Sequence, residues 1–172
     1  MMETETPNGF VFRNAVPDDI TEILQLIAVY AKEGLLLPRT REDLLLRIGN
    51  FHIAEIDGEF AGCAAMRHYG GALYEIRSLA IPAKFRNAGL GSRMVRALLR
   101  MLEEKGEPAR VFALTYRDAF FLRLGFHHVD KKDFPEKIWS DCSVCPKKDH
   151  CDEIAVMIHL NSAGLPAGGT AS

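Results

Sequence analysis

Strand-like and helix-like runs alternate along this chain, and the alternation predicts a mixed α/β domain. Three observations carry that reading. Two strand-like runs meet at Asp57-Gly58, a turn pair suited to a hairpin. A strand-like run ends at Pro82, and a long helical pattern follows it within a few residues. Two more strand-like runs close the chain, so an antiparallel front half is followed by a helical crossover.

The elements follow in order. Phe10–Arg13 reads as a short strand, and Pro17-Asp18-Asp19 opens a helix whose apolar face is Ile20, Ile23, Leu24, Ile27 and Ala31, ended by Gly34. Arg41–Ile48 reads as a second, shorter helix. Phe51–Ile56 and Glu59–His68 form the hairpin, and Gly70-Gly71 turns the chain into Leu73–Ile81. Helical spacing resumes at Leu90, Met94, Leu98 and Met101 and stops at Lys105-Gly106. Arg110–Leu114 is a buried strand, Asp118–Leu124 a short helix closed by Gly125, and Phe126–Val129 and Ile154–Leu160 the last strands. Met1–Gly9 is expected to be a flexible start and Asn161–Ser172, small and Gly-rich, a disordered tail, leaving residues 10–160 as the folded domain.

The chain has 172 residues, 48% hydrophobic and 26% charged, enough for one domain with a sizeable core. Its 21 basic and 23 acidic side chains leave a net charge of −2, which argues against general nucleic-acid affinity. No apolar run approaches the roughly 18 to 20 residues that span a bilayer. The acidic start MMETETPNGF does not resemble a secretory signal, so the expected setting is cytoplasmic, away from membranes. A homodimer is compatible with the sequence, which does not itself set the number of copies.

The most informative stretch is Leu79–Arg93, where a strand runs through Arg86 and a glycine pair, Gly89 and Gly91, into a helix. Glycines allow close approach of the backbone, and the first amides of a helix lack intrahelical acceptors, so this junction suits a phosphate or pyrophosphate. Lys84, Arg86, Arg93, Arg96 and Arg100 add positive charge with no acid between them. A helix cap with a solvated arginine face accounts for the same residues. Gly91-Ser92-Arg93 does not meet the Walker pattern, and Met94 stands where a dinucleotide fingerprint needs its third glycine.

Arg86-x-x-Gly89-x-Gly91 after a strand resembles the acetyl-CoA signature of the GCN5-related N-acetyltransferases, the GNAT family. Phe121-Leu122-Arg123-Leu124-Gly125-Phe126 is similar to that family's aromatic-x-x-x-Gly-Phe segment. The resemblance implies the GNAT fold, a mixed and mostly antiparallel sheet with flanking helices, and acetyl-CoA as cosubstrate. It also implies that Leu79, Ala80 and Ile81 offer backbone groups to the thioester and pantetheine arm. Arg86, Asn87, Ala88, Gly89, Leu90, Gly91 and Ser92 would hold the pyrophosphate.

Tyr74–Ala80, Val111–Thr115 and Lys137–Cys142, with Cys145-Pro146-Lys147 and Cys151-Asp152-Glu153, look like the acetyltransferase domain of bacterial N-acetylglutamate synthases. That resemblance implies acetyl transfer to the α-amine of L-glutamate, the entry step of arginine biosynthesis. Many such synthases carry an amino-acid-kinase-like domain that binds the inhibitor arginine. A chain of 172 residues has no room for one, so arginine inhibition is not expected from this sequence.

An ammonium must lose a proton before it attacks a thioester, and by the resemblance Glu75 corresponds to the general base. A surface strand residue paired with Arg77 is the plainer reading of Glu75. Backbone amides at a strand irregularity near Leu79–Ala80 would stabilise the thioester oxygen. Phe121 stands where the wider family often uses a tyrosine to protonate the leaving thiolate, so Thr115 and Tyr116 both remain candidates. Two carboxylates on the acceptor call for cations, with Arg39, Arg41, Arg77 and Lys147 as candidates and Arg39 with Lys147 the favoured pair; solvated surface charge is the alternative for each.

Cys142, Cys145 and Cys151, with His150, have some of the look of a metal site that Cys63 would complete if the hairpin lay close. Reduced structural thiols are the simpler expectation, with no metal required. Two other functions fit the same residues: acetyl transfer to another amino acid or small amine, and a non-catalytic CoA-binding module.

Overall fold

The computed structural model describes residues 4–5, 9–130 and 153–161. These form strands β1 (Thr4–Glu5), β2 (Phe10–Asn14), β3 (Phe51–Ile56), β4 (Glu59–His68), β5 (Leu73–Ala80), β6 (Ala109–Thr115), β7 (His127–His128) and β8 (Ile154–Leu160). The helices are α1 (Ile20–Lys32), α2 (Arg41–Leu46), α3 (Leu90–Glu103) and α4 (Asp118–Leu122). The chain divides into two compact units, Met1–Arg67 with Ile76–Leu98, and His68–Glu75 with Leu99–Ser172. No helix among the described residues is long and apolar enough to cross a membrane.

In the first unit β1, β2, β3 and β4 pair antiparallel in chain order. Thr4–Glu5, within the stretch expected to be loose, pairs with Phe12 and Val11 along the outer side of β2. The β3–β4 hairpin has the expected limits. Its turn residues Asp57 and Gly58 both have positive φ, 51° and 83°, as a two-residue hairpin turn requires. One sheet face packs against α1 through Ile20, Ile23, Leu26, Ile27 and Tyr30, with Phe51, Ile53, Cys63, Ala65 and Ala80 in the same cluster.

That α1 stripe corrects the sequence reading. Leu24 and Ala31 are only half-buried, while Leu26 and Tyr30 face the core. Both stripes satisfy helical spacing, and the packing against β3 and β4 selects between them. The second helix also ends earlier than expected, at Leu46, and the chain continues as a short 3-10 turn, Ile48–Asn50.

In the second unit β6 pairs antiparallel with β8 along its whole length, and β7 pairs antiparallel with β8. The first residues of β5 run parallel to β6, with Leu73, Tyr74 and Glu75 opposite Arg110, Val111 and Phe112. Tyr69, Leu73, Phe112, Ala155 and Met157 form the core here. Asn161 closes the unit, its side-chain amide donating to the carbonyls of Leu102, Glu103 and Glu107 at 3.1–3.2 Å.

Within the first unit's sheet, His52 is buried (6% exposed), and its ring stacks on Phe12 at 5.3 Å between centroids. Its Nδ1 has no hydrogen-bond partner among the described residues. Burial lowers the pKa to about 4, so the fold favours neutral imidazole. The stabilisation is complete above the unfolded value of about 6.5 and is lost as pH falls towards 4. Denaturant unfolding of the wild type at pH 7 and pH 5 is expected to show a loss of about 2 kcal/mol from this residue. His52→Leu should remove that part of the pH dependence; an unchanged pH dependence would contradict it.

Candidate active site

β5 carries the backbone expected to meet the donor, and its irregularity lies one residue before the expected place. Ser78 has φ 53°, a left-handed conformation uncommon for a non-glycine residue within a strand. A strand residue of that conformation turns the following peptides out of their regular alternation, as in a β-bulge. Ser78 is held by its neighbours: its carbonyl accepts from Cys63 Sγ at 3.5 Å and its hydroxyl accepts from Arg39 Nη1 at 3.1 Å. Gly62 packs closely against the segment that follows, and a Cβ there would lie 3.0 Å from the Ala80 carbonyl oxygen and 3.2 Å from Met94 Sδ.

Past the irregularity, Ile81 has a partner that sequence reasoning missed. The Tyr30 hydroxyl donates to the Ile81 carbonyl at 2.9 Å and accepts from the Ile81 amide at 3.1 Å. One phenol thus meets both polar groups of a residue beyond the end of its strand. The Arg86 guanidinium lies over the same ring, 5.2 Å from its centroid, with Nε 3.4 Å from the Ile81 carbonyl. The available signal was a tyrosine three residues after Ile27 on the buried stripe, whose hydroxyl had to find a partner.

Arg86, Asn87, Ala88 and Gly89 form an exposed turn. Asn87 and Gly89 have φ 65° and 76°, which carries the chain directly into Leu90 at the start of α3. Arg93 N–H bonds back to the Gly89 carbonyl at 3.2 Å, so Leu90, Gly91 and Ser92 occupy the first turn, where helix amides lack intrahelical acceptors. An anion set against this turn meets those amides and the positive end of the helix dipole.

The expected cationic helix face is divided in the structure. Lys84 is paired with Glu59 at 2.6 Å, and Arg93 folds over the Phe10 ring at 4.3 Å. Arg86 remains at the turn itself, and Arg96 and Arg100 are exposed further along α3. An anion at this turn would therefore meet main-chain amides and Arg86 more than a basic stripe.

Glu75 stands four residues before Leu79 on β5. It is buried, 8% exposed, and Tyr69 O–H donates to its Oε1 at 2.7 Å. The surface-strand reading of Glu75 is thus corrected: Gly70-Gly71 folds Tyr69 back beside Leu73, with Tyr69 N–H donating to the Leu73 carbonyl at 2.9 Å. The ring is set against Phe112, 5.9 Å between centroids, and its hydroxyl reaches Glu75. Tyr69 fixes one oxygen of a carboxyl group that stands on the same strand as Leu79 and Ala80.

At the end of β6, Thr115 and Tyr116 are both half-buried. Thr115 Oγ1 accepts from Arg117 N–H at 2.8 Å, a local turn bond that leaves the threonine hydroxyl hydrogen for a further acceptor. Phe121 is 5% exposed and packs edge-on against Phe120 and Phe126, a packing role with no acid function.

Among the cations expected to meet the acceptor, Arg39 is held by several partners. Thr40 caps α2 by accepting from Asp43 N–H at 3.1 Å, which places Asp43 one turn from both Arg39 and Arg47. The Asp43 carboxylate bonds Arg39 Nε and, at 3.0 Å, Arg47 Nε. Burial alone would raise the Asp43 pKa, but the two guanidinium bonds outweigh it and hold it below the ordinary carboxylate value. The Arg39 guanidinium also covers the Phe51 ring at 5.4 Å. Arg41 turns towards α1, donating to Thr21 at 3.3 Å, and Arg77 is half-buried on β5. Lys147, Cys142, Cys145, His150 and Cys151 lie outside the described residues. Cys63 is fully buried, which pushes its thiol up to about 12, so it is poorly suited to complete a metal set.

The model of the Acetyltransferase (GNAT) family matches residues 18–126, from the turn before α1 to the end of the Phe121–Phe126 segment. This chain belongs to the GNAT acetyltransferase family. Its mixed, mostly antiparallel sheet with flanking helices is the GNAT fold, and the donor is acetyl-CoA. The chain is 41% identical over 145 residues to an uncharacterised N-acetyltransferase of Chlorobaculum tepidum, a match covering 84% of this chain and 93% of that one. It is 34% identical over 125 residues, 72% of its length, to the amino-acid acetyltransferase of Aeromonas salmonicida, but spans only 28% of that protein. Among solved structures, N-acetylglutamate synthase from Neisseria gonorrhoeae complexed with coenzyme A and N-acetyl-glutamate aligns with a TM-score of 0.78 at 29% identity, over 88% of this chain and 35% of that one.

Removing the Tyr69 hydroxyl tests the carboxyl arrangement. Tyr69→Phe is expected to lower kcat about tenfold by releasing Glu75 Oε1, with KM for acetyl-CoA unchanged. Steady-state kinetics with acetyl-CoA varied would check both parts, and an unchanged kcat would contradict the role.

Proposed function

We propose that this GNAT acetyltransferase is an amino-acid N-acetyltransferase that transfers acetyl from acetyl-CoA to the α-amine of L-glutamate, the reaction of an N-acetylglutamate synthase. The observation that carries the reading is Glu75: a buried carboxyl bonded to Tyr69, on the strand whose distorted continuation supplies Leu79–Ile81. The similarity to a named amino-acid acetyltransferase and to an N-acetylglutamate synthase supports the choice of acceptor.

The chemistry runs by direct attack. The pyrophosphate of acetyl-CoA rests on the Arg86–Ser92 turn, and the pantetheine amide takes the place of the Tyr30 hydroxyl at Ile81. Glu75 accepts a proton from the acceptor's ammonium, directly or through a water, and the freed amine attacks the thioester carbon. The amide of Leu79, turned by Ser78, donates to the oxygen as negative charge grows there. The C–S bond then breaks, the attacking nitrogen gives up its second proton to water, and Thr115 or Tyr116 delivers a proton to the CoA thiolate. Arg39 takes one carboxylate of the acceptor by charge-assisted hydrogen bonds.

The test is CoA release from acetyl-CoA with each common amino acid as acceptor, in reducing buffer, with the product identified by mass. Glutamate is expected to be preferred, and Glu75→Gln to lower kcat by about 10²- to 10⁴-fold while acetyl-CoA binding is retained. Turnover of other amines but not glutamate would move the acceptor to a different class. Binding of CoA with no turnover on any amine would exclude an enzyme.

A further inference from the structure

Arg39 is tied from two directions. Its Nε is bonded to Asp43, which comes from the first turn of α2, and its Nη1 donates to Ser78 Oγ on β5 at 3.1 Å. The flat face of the guanidinium lies on Phe51. Only 13% of the side chain is exposed, and Nη2 has no hydrogen-bond partner among the described residues. Among the described residues nothing accepts from Nη2, so its end-facing hydrogen, beside Nη1, forms the end of a planar group that has lost most of its rotational freedom.

We propose that Asp43 and Ser78 are positioning residues that hold Arg39 so that its Nη edge, and no other, meets a carboxylate of the acceptor. This rests on the reading of the protein as an amino-acid acetyltransferase and adds to it the origin of its acceptor selectivity. Asp43 occupies the Nε edge, so a carboxylate cannot bind side-on through Nε and Nη2 and must approach the end of the fork. The Asp43 charge is shared with Arg47, so the cluster of two guanidinium groups and one carboxylate keeps a net positive charge for the ligand. Ser78 makes the second tie at the residue whose left-handed φ redirects β5. A carboxylate on Arg39 and the amides after Ser78 are thereby set from one point, which places the amine of the acceptor relative to the thioester.

An unheld arginine on this loop would still attract a carboxylate, but it would have to be ordered at the moment of binding. The loss on removing either tie should accordingly fall on KM for the acceptor. Replacement of Asp43 by Asn removes the charge and one acceptor, and replacement of Ser78 by Ala removes the Nη1 acceptor without adding bulk at a left-handed residue.

The experiment compares wild type, D43N, S78A and D43E with three acceptors: L-glutamate, L-glutamine and L-isoglutamine, which carries the amide on the α-carboxyl. Thermal melts confirm that the variants are folded. The expected result is a wild-type preference for glutamate over one of the two amides, which identifies the carboxylate that Arg39 holds. D43N and S78A should raise KM for glutamate about tenfold and largely erase that preference, and in D43N kcat should stay within about threefold with KM for acetyl-CoA unchanged. D43E should recover part of the loss. Wild-type KM and preference in both variants would overturn the proposal while leaving the acceptor class intact. A parallel fall in kcat and rise in KM for acetyl-CoA in D43N would overturn it in favour of a general structural role. No wild-type turnover on any of the three would overturn the glutamate reading itself, and this inference with it.

Discussion

A strand whose backbone is fully paired has nothing to offer a ligand, and a strand left unpaired without a partner is unstable. β5 meets both demands through Ser78. Its left-handed conformation interrupts the regular alternation of peptide directions within the strand. Non-glycine residues in this region carry a cost of order 1 kcal/mol or more and persist only where the surroundings hold them. Here the holding groups are the Cys63 thiol on the Ser78 carbonyl and the Arg39 guanidinium on its hydroxyl, with Gly62 allowing β4 to approach Ala80 and Ile81.

The same strand orders the rest of the chemistry. Before the irregularity, Glu75 is buried and tied to Tyr69; after it, Ile81 is bonded at both polar groups by Tyr30. Two tyrosines that sequence motifs do not mark thus hold the groups to which the motifs assign chemistry. Arg86 and the first turn of α3 continue from Ile81 within a dozen residues, so under the proposed reading the order of residues along the chain follows the order of parts along the donor, from thioester to pyrophosphate.

Local chemistry was legible in the sequence, and long-range partnership much less so. The hairpin at Asp57-Gly58 and the helix start at Leu90 follow from turn residues and spacing, and both have the expected limits. On α1 the spacing fits two stripes, and contact with β3 and β4 decides for Leu26 and Tyr30 over Leu24 and Ala31. Glu75 reads equally well as a partner of Arg77, because residues two apart on a strand share a face. The turn at Gly70-Gly71 supplies Tyr69, a partner that strand spacing alone does not reveal. The basic run from Lys84 to Arg100 has no acid within it, yet Glu59 comes from the hairpin to neutralise Lys84 and Phe10 covers Arg93. The family motif itself was readable because it depends on residues within one short segment.

The account turns on the backbone of β5 being the surface that the donor meets. The most direct measurement is a titration of the uniformly labelled protein with acetyl-CoA, following the backbone amide resonances of residues 75–93. Large shifts at Leu79, Ile81 and Gly89–Ser92, with the Ile81 amide changing as the Tyr30 hydroxyl leaves it, are the expected result. Tight binding with those amides unmoved would contradict the account and place the donor elsewhere on the protein.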